Sequence, residues 1–485
     1  MALFNKKTEK NKRTINRAGG EAFVQSPKMQ LVSLLLTSFA QDQYYRSAEQ
    51  TFEDLNQLLV KVNPYFAAKA AIFARKEFGM RSISHVLAGE LAAYASGTTW
   101  AKDFYRKVIK RPDDMLEIIS YFKAKGGNGL PNAMKKGFAK AFDQFDSYQL
   151  AKYRGEKKAT KLVDLVNLVH PIPTELNEQA LKHLIKGKLK ATQTWEARLT
   201  EAGQAAENDV QKAKMKAKVW NDLIRENKLG YFALLRNLRN ISAQSPKVLA
   251  LACKQLIDPK RIKNSLVMPF RLITAYKQFT GNSPANRKIR EALEKAINIA
   301  CNNVPDLENT LVVIDNSGSM ACKAAGSKHM KCNELGAAFG IILAKRSNAD
   351  IMEFGSKARY INYSLRDSVM EFSSSFEDKN RVGHGTDFHS IFRKANRKYD
   401  RIVIFSDMQG WVGHTAPTAS FEAYKTRFKV NPYLYSFDLA GYGSLQFPED
   451  KVFQLAGFSE KVFGMMGALE QNPNELLDRI EAIEL

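Results

Sequence analysis

Apolar residues change their spacing near residue 305, and that change limits what this chain can fold into. Before it, stretches such as YFAAKAAIFARKEFG, SHVLAGELAAYAS and ALEKAINIACNN place apolar residues three and four apart, the period of a helix face. Only short breakers interrupt them: KGGNGLPN, HPIPT, IDPK and GNSP. After Pro305 the runs TLVVID, ADIMEFG, RIVIFSD and PYLYSFD are short and β-branched or apolar. Helical stretches such as NELGAAFGIILAKRS and TDFHSIFRKANRKY lie between them.

Many short helices with tight links predict stacked helical hairpins, an α-solenoid, with no strand among them. No strict repeat at a fixed period accompanies the helices. Strands alternating with helices predict a doubly wound α/β domain built on a parallel sheet. A chain of 485 residues exceeds one core. The reading is therefore a multidomain protein: a flexible basic arm over 1–15, an all-α repeat domain over 16–303 and an α/β domain over 304–485.

Charge divides at the same place. Residues 304–485 carry 21 Lys+Arg against 23 Asp+Glu. The remainder carries 52 against 27, a net of +25, so the whole excess of +23 comes from the helical part. A solvated surface needs charge but not one sign of it, so a polyanion is the partner class this points to.

Four cysteines, Cys253, Cys301, Cys322 and Cys332, make no disulfide framework. The N-terminal stretch is basic without the apolar core of a signal peptide, and LVSLLLTSFA is about half the length of a membrane span. The expected setting is cytoplasmic and away from membranes.

Two strand ends carry the polar chemistry. In LVVIDNSGSM the apolar run stops at Asp315, and Ser317 and Ser319 follow at alternate positions. RIVIFSD ends the same way at Asp407, and between them VGHGTDF supplies Thr386. Ligands of open α/β sheets bind beyond the carboxyl ends of strands. Asp315, Ser317, Ser319, Thr386 and Asp407 are all oxygen donors, the set magnesium or another hard divalent cation takes. Asp-x-Ser-x-Ser by itself also serves as a turn or helix cap.

These five residues resemble the metal-ion-dependent adhesion site of von Willebrand factor A-type domains. The phrases NRAGGEAF, YYRSAEQ, KATKLVDLVNLVHPIP, TWEARL, WNDLIRENKLGYFALLRNLRNIS and RIKNSLVMPFRLITA precede that domain in order. Together they resemble the TROVE module of the Ro family. The resemblance implies a ring of HEAT-like repeats closed by an A-type, Rossmann-like domain. It implies small noncoding Y RNA bound outside and the 3′ single-stranded ends of misfolded or structured RNA in a central hole. A 3′ exoribonuclease is an implied partner, and the chain is expected to be a monomer. Y RNA contact would fall near His170, with Lys157, Lys158 and Lys161 upstream. Val163 and Asn167 stand where basic residues are expected in relatives, which weakens outer-surface Y RNA binding more than RNA binding in general.

Further basic clusters lie at Lys182, His183, Lys186, Lys188 and Lys190, and at Lys212, Lys214, Lys216 and Lys218. Arg236 and Arg239 share a helix face through their spacing of three. Each cluster alone reads as a solvated face; together, with the charge excess, they read as phosphate contacts. Arg236, Asn237 and Arg239 alternatively bridge neighbouring repeats. Tyr44, Tyr45, Trp195 and Trp220 either stack on bases or pack the core.

Cys322, His329 and Cys332 lack the fourth ligand of a zinc site. His384, His389 and His414 form no nucleophile–base–orienter set, and no phosphate loop or dinucleotide fingerprint occurs. The expectation is a non-enzymatic RNA-binding protein acting in RNA quality control or processing. The alternative is a metal-dependent protein–protein adaptor using the A-type site.

Overall fold

The structure is a computed structural model. It describes residues 13–37, 48–156, 159–189, 194–265, 267, 269–301, 304, 306–322, 331–364, 367–376, 378, 381–413, 416–440, 442, 444–448, 451–456, 466–472 and 474–485. Packing groups the chain into two compact units, one from 1–26, 43–46 and 198–473, the other from 27–42, 47–197 and 474–485. Neither cut falls where charge and texture change. The helices between 198 and 300 pack as one unit with the α/β sheet that follows them.

The second unit is helical. Several helices lie on their next-but-one neighbours: Pro64–Lys76 on Ala101–Val108, Ser82–Glu90 on Pro112–Ala124, and Ala101–Val108 on Asn132–Ala141. Local sequence starts these helices. Asn63 accepts from the Tyr65 N–H at 2.8 Å ahead of Pro64, which suits a first helical position. Asp146 accepts from the Gln149 N–H at 2.7 Å while the Gln149 side chain accepts from the Asp146 N–H at 3.1 Å. Phe104, Tyr105, Phe138, Phe142 and Phe145 are fully buried between them. Each such side chain contributes about 1.5–3 kcal/mol. Asp114 sits inside this unit, accepting from Arg75 at 2.8 Å, Arg81 at 3.0 Å and the Lys110 and Arg111 N–H groups, each at 3.0 Å. His85 Nε2 lies 3.2 Å from the same carboxylate but out of line for a hydrogen bond.

The first unit holds the sheets. Six strands run in the order β5-β4-β3-β6-β7-β9: β3 (Thr310–Asp315), β4 (Asp350–Phe354), β5 (Ala358–Ile361), β6 (Arg401–Ser406), β7 (Tyr433–Asp438) and β9 (Val452–Ala456). All pairings are parallel except β4 with β5. Along β3, side chains alternate between faces. Leu311 and Val313 join Phe388, Phe392, Phe421 and Phe447 in one core. Val312 and Ile314 face the helix Cys332–Ser347, where a Cβ on Gly340 would come within 2.7 Å of Ile314. Glycine there lets helix and sheet approach.

A second sheet joins β1 (Arg13–Ile15), β2 (Glu21–Val24) and β8 (Ser444–Leu445). The sequence reading placed no strand in the first 303 residues, and the last three residues of the stretch read as an arm are β1. Three- and four-residue strands are too short to show an alternating pattern, and β2 completes its pairing only with β8, Phe23 opposite Leu445. Among the described residues no helix is long and apolar enough to cross a membrane.

Candidate cation site and basic surfaces

β3 has β4 on one side and β6 on the other, so the winding reverses between β3 and β6. A crevice opens at such a point beyond the strand ends. Asp315 is the last residue of β3, and Asp407 follows β6 directly. Backbone hydrogen bonds tie the loops there together. Gly318 N–H donates to the His384 carbonyl at 2.9 Å, and Trp411 N–H to the Thr386 carbonyl at 3.2 Å. Asp315, Ser317, Ser319, Thr386 and Asp407 are all buried within these loops.

The carboxyls are oriented individually. Asp315 accepts from the Ser317 N–H at 2.8 Å and the Ser406 hydroxyl at 2.5 Å. Asp407 accepts from the Gln409 N–H at 3.1 Å and is hydrogen-bonded to Ser319. The Ser317 and Ser319 hydroxyl oxygens lie 3.4 Å apart. Burial raises the Asp315 carboxyl above the usual carboxylate range, against the Ser317 and Ser406 hydrogen bonds that hold it down. Burial and then the like charge of Asp315 push Asp407 well up. Two buried carboxylates that repel each other are a place where a cation is electrostatically favoured. Their partners are hydroxyls, so the donor set suits a hard divalent ion, and these five residues are the ones that would hold it.

Sequence reasoning missed the supports. Ser406 stands beside Asp407 in the quoted run, yet its bond to Asp315 crosses between strands. Asn333 on the helix Cys332–Ser347 donates to Asn316 at 3.1 Å and to the Phe376 carbonyl at 2.8 Å, fixing the turn after β3. The segment after β1 fastens onto the loop after Asp407. Asn16 Nδ2 donates to the Gly410 carbonyl at 2.6 Å, and the Arg17 N–H donates to Gln409 at 2.7 Å. A Cβ on Gly20 would lie 2.0 Å from the Gly410 oxygen. The stretch NRAGGEAF is thus a latch onto the candidate cation site, which no local signal announces.

Two of the three residues weighed for zinc come together, Cys322 and Cys332, with sulfurs 3.4 Å apart. His329 lies outside the described residues. Among the described residues no group of three His, Cys, Asp or Glu side chains is placed to hold a metal. The Cys332 thiol is pushed well up by the Cys322 sulfur, by burial and by the carboxylates of Asp407 and Asp315. His389 Nδ1 pairs with the Ser420 hydroxyl at 2.9 Å, the His384 carbonyl is one of the loop ties, and His414 lies outside the described residues.

The basic candidates divide between units. In the helical unit Lys161, His170, Lys182, His183, Lys186 and Lys188 are exposed. His170 ends the helix Leu162–Val169 in a left-handed conformation, φ 47°. Val163 is half-buried on that helix and Asn167 exposed. Lys157, Lys158, Lys190, Tyr44 and Tyr45 lie outside the described residues. In the other unit the helix Asp209–Arg225 carries its lysines on two faces. The stems of Lys212 and Lys216 lie over Gly203 of the helix Trp195–Gln204, while Lys214 and Lys218 sit two positions further round. Arg236 and Arg239 are exposed on the helix Tyr231–Gln244. Asn237 is turned inward, donating to the Ala233 carbonyl at 2.9 Å and accepting from Asn240 at 3.0 Å. Arg271, which sequence reading passed over, joins Arg236. Surrounding protein and then the like charge of Arg236 hold its guanidinium below the ordinary range, although its surface stays open to solvent. Trp220 packs in the core with its N–H on Gln244 at 3.0 Å, and Trp195 is half-buried.

Comparison with known proteins places this architecture. The TROVE domain family matches residues 10–214 and 186–283, and the Ro60 vWA domain family matches 309–469. The chain is 24% identical over 478 residues to the RNA-binding protein RO60 of Deinococcus radiodurans, covering 86% of this chain and 87% of that protein. It is 22% identical over 343 residues to mouse telomerase protein component 1, covering 52% of this chain but only 13% of that much longer protein. Its fold matches the crystal structure of the Deinococcus radiodurans RO (RSR) protein with a TM-score of 0.59 at 19% identity, over 91% of this chain and 99% of that one. With TROVE matches spanning more than half its length and a Ro60-type A domain behind them, this chain belongs to the TROVE family.

Proposed function

We propose that this protein binds RNA through its helical part and takes up the 3′ single-stranded ends of structured or misfolded RNAs, in RNA quality control or processing. The observation that carries the reading is the coincidence of the TROVE match with the net charge of +25 on residues 1–303. Phosphates supply most nucleic-acid affinity, and lysine and arginine pay out that affinity as released counterions. Exposed Lys186, Lys188, Lys212, Lys214, Arg236 and Arg239 are the contacts proposed within the described residues. A small Y-like RNA near Lys161 and His170 is the weaker part of the reading, because Val163 and Asn167 supply no charge there.

The A-type site holds Mg²⁺ or another divalent cation in this reading, and no catalytic step is assigned to it. The setting proposed is the cytoplasm, with the protein monomeric and working beside a 3′ exoribonuclease. Binding of a hairpin RNA with a ten-nucleotide 3′ tail, compared with its blunt counterpart over 50–300 mM salt, tests the central claim. Tighter binding of the tailed RNA with a steep salt slope supports it. Equal affinity for both, or a flat slope, overturns it.

A second reading rests on the buried pair Asp315 and Asp407. A cation held by so few protein charges keeps room for an acidic side chain of a protein partner. Partner capture lost on EDTA treatment, with RNA binding intact, would select it.

A further inference from the structure

The four cysteines are not alike. Cys253 and Cys301 are buried singly, and Cys301 donates to the Ile297 carbonyl of its own helix at 3.2 Å. Cys322 and Cys332 face each other, with Sγ atoms 3.4 Å apart. Their backbones are also joined, since the Cys332 N–H donates to the Cys322 carbonyl at 2.9 Å. Sulfurs at that separation are already in van der Waals contact, so bonding them takes only a small approach. Cys322 is half-exposed and Cys332 is buried as the first residue of the helix Cys332–Ser347, so one thiol is open to a small reagent and the other waits behind it.

We propose that Cys322 and Cys332 are a reversible oxidation site, closed to an intramolecular disulfide by hydrogen peroxide or another hydroperoxide and reopened by thiols. Cys322 sulfur attacks one peroxide oxygen. The O–O bond breaks, an S–O bond forms, and water leaves once the thiol proton is transferred. The Cys332 sulfur then attacks the resulting sulfenic acid. The S–S bond forms as the S–O bond breaks, and the second oxygen leaves as water with the Cys332 proton. Two thiols are oxidised by two electrons, and hydrogen peroxide is reduced to two waters, or an organic hydroperoxide to its alcohol and one water. The bond would fix Cys322, three residues after Ser319, to the start of the helix Cys332–Ser347. The pairing needs nothing from the cation reading, so it stands or falls independently of it.

The test uses the full chain, reduced, freed of reductant and treated with one equivalent of hydrogen peroxide. Alkylation, digestion without reductant and mass spectrometry then locate every cysteine. The expected product is a Cys322–Cys332 cross-linked peptide pair 2 Da lighter than its two peptides, restored by dithiothreitol, with Cys253 and Cys301 still free. Cys332→Ser should stop at a dimedone-trapped sulfenic acid on Cys322. Cys322→Ser should lose thiol at least tenfold more slowly than the unaltered chain. Three results overturn the proposal: oxidation spread evenly over four cysteines, cross-links between molecules only, or stoichiometric zinc bound to the pair in the isolated protein and released by Cys322→Ser.

Discussion

Asn16 and Gly410 are joined by a 2.6 Å hydrogen bond across 394 positions of sequence, and Gly410 lies three residues beyond Asp407. The turn between β1 and β2 therefore braces one wall of the candidate cation site. Asn16 does so with both ends of its amide. Its Oδ1 accepts from the Ala18 and Gly20 N–H groups at 3.0 Å each while its Nδ2 reaches Gly410.

Asn16→Ala removes these bonds and leaves buried groups unpaired. It should cost about 1–3 kcal/mol of stability and weaken Mg²⁺ binding by about tenfold, the usual effect of losing an outer support. Thermal denaturation and calorimetric titration with Mg²⁺ check the two numbers separately. An unchanged Mg²⁺ affinity would show that the brace does not reach Asp407.

The two buried carboxyls set a pH dependence of definite sign. Both are raised in the folded chain, so the folded state holds protons that the unfolded state has already lost. Without divalent cation, their contribution to stability is largest below about pH 4, the unfolded value, and falls as pH rises through their raised values. Asp315→Asn keeps the shape, removes one of the two repelling charges and should stabilise the cation-free protein at pH 7.5 by about 1–2 kcal/mol. The same variant should lose the Mg²⁺-induced rise in Tm. Melting curves with EDTA and with Mg²⁺ supply both readings.

Asp114 has the opposite sign. Burial alone would raise its carboxyl, but the close approach of His85 and the charge of Arg75 hold it well below the usual range. Its contribution is present above about pH 4 and is lost as pH falls from there toward the folded value. Asp114→Asn leaves Arg75 and Arg81 facing a neutral amide in a closed site and should cost about 3–5 kcal/mol. Urea denaturation at pH 7 should show that loss, and the loss should shrink below pH 3.

Lys212 and Lys214 are both exposed on their helix, so each should supply a phosphate contact to RNA. Replacing both with Gln should reduce the slope of log K against log salt by about 1.4, two phosphate contacts on a single strand. Affinity should fall alike for tailed RNAs of different sequence. A fall confined to one sequence would assign these lysines to base recognition instead.

β3, β4, β6 and β7 were legible because they are central, largely buried and long enough to show apolar runs, whereas the edge strands β5 and β9 went unnamed. Asp315, Ser317, Ser319, Thr386 and Asp407 could be collected by one rule, that ligands sit at strand carboxyl ends. Their supports could not. Ser406, Asn333 and Asn16 act through long-range bonds whose partners carry no spacing signal. β1 and β2 escaped for a related reason: their register is set by β8, far along the chain. Helix existence was clear in the basic part, but which faces the lysines of 212–218 occupy depends on Gly203, which gives no hint in sequence of lying beneath them.

The helix Glu475–Glu481 packs on Pro64–Lys76, with Lys69 donating to the Glu481 carbonyl at 2.6 Å and Lys107 to the Glu484 carbonyl at 2.6 Å. The helical unit is thus completed by a segment synthesised long after the helices it covers. During translation its nascent helices must wait, with the surface that Glu475–Glu481 will cover still open, while the intervening four hundred residues are made. Chaperone dependence and slow maturation would follow from that order of synthesis, and a circular permutant that moves this helix ahead of Pro64 should remove both.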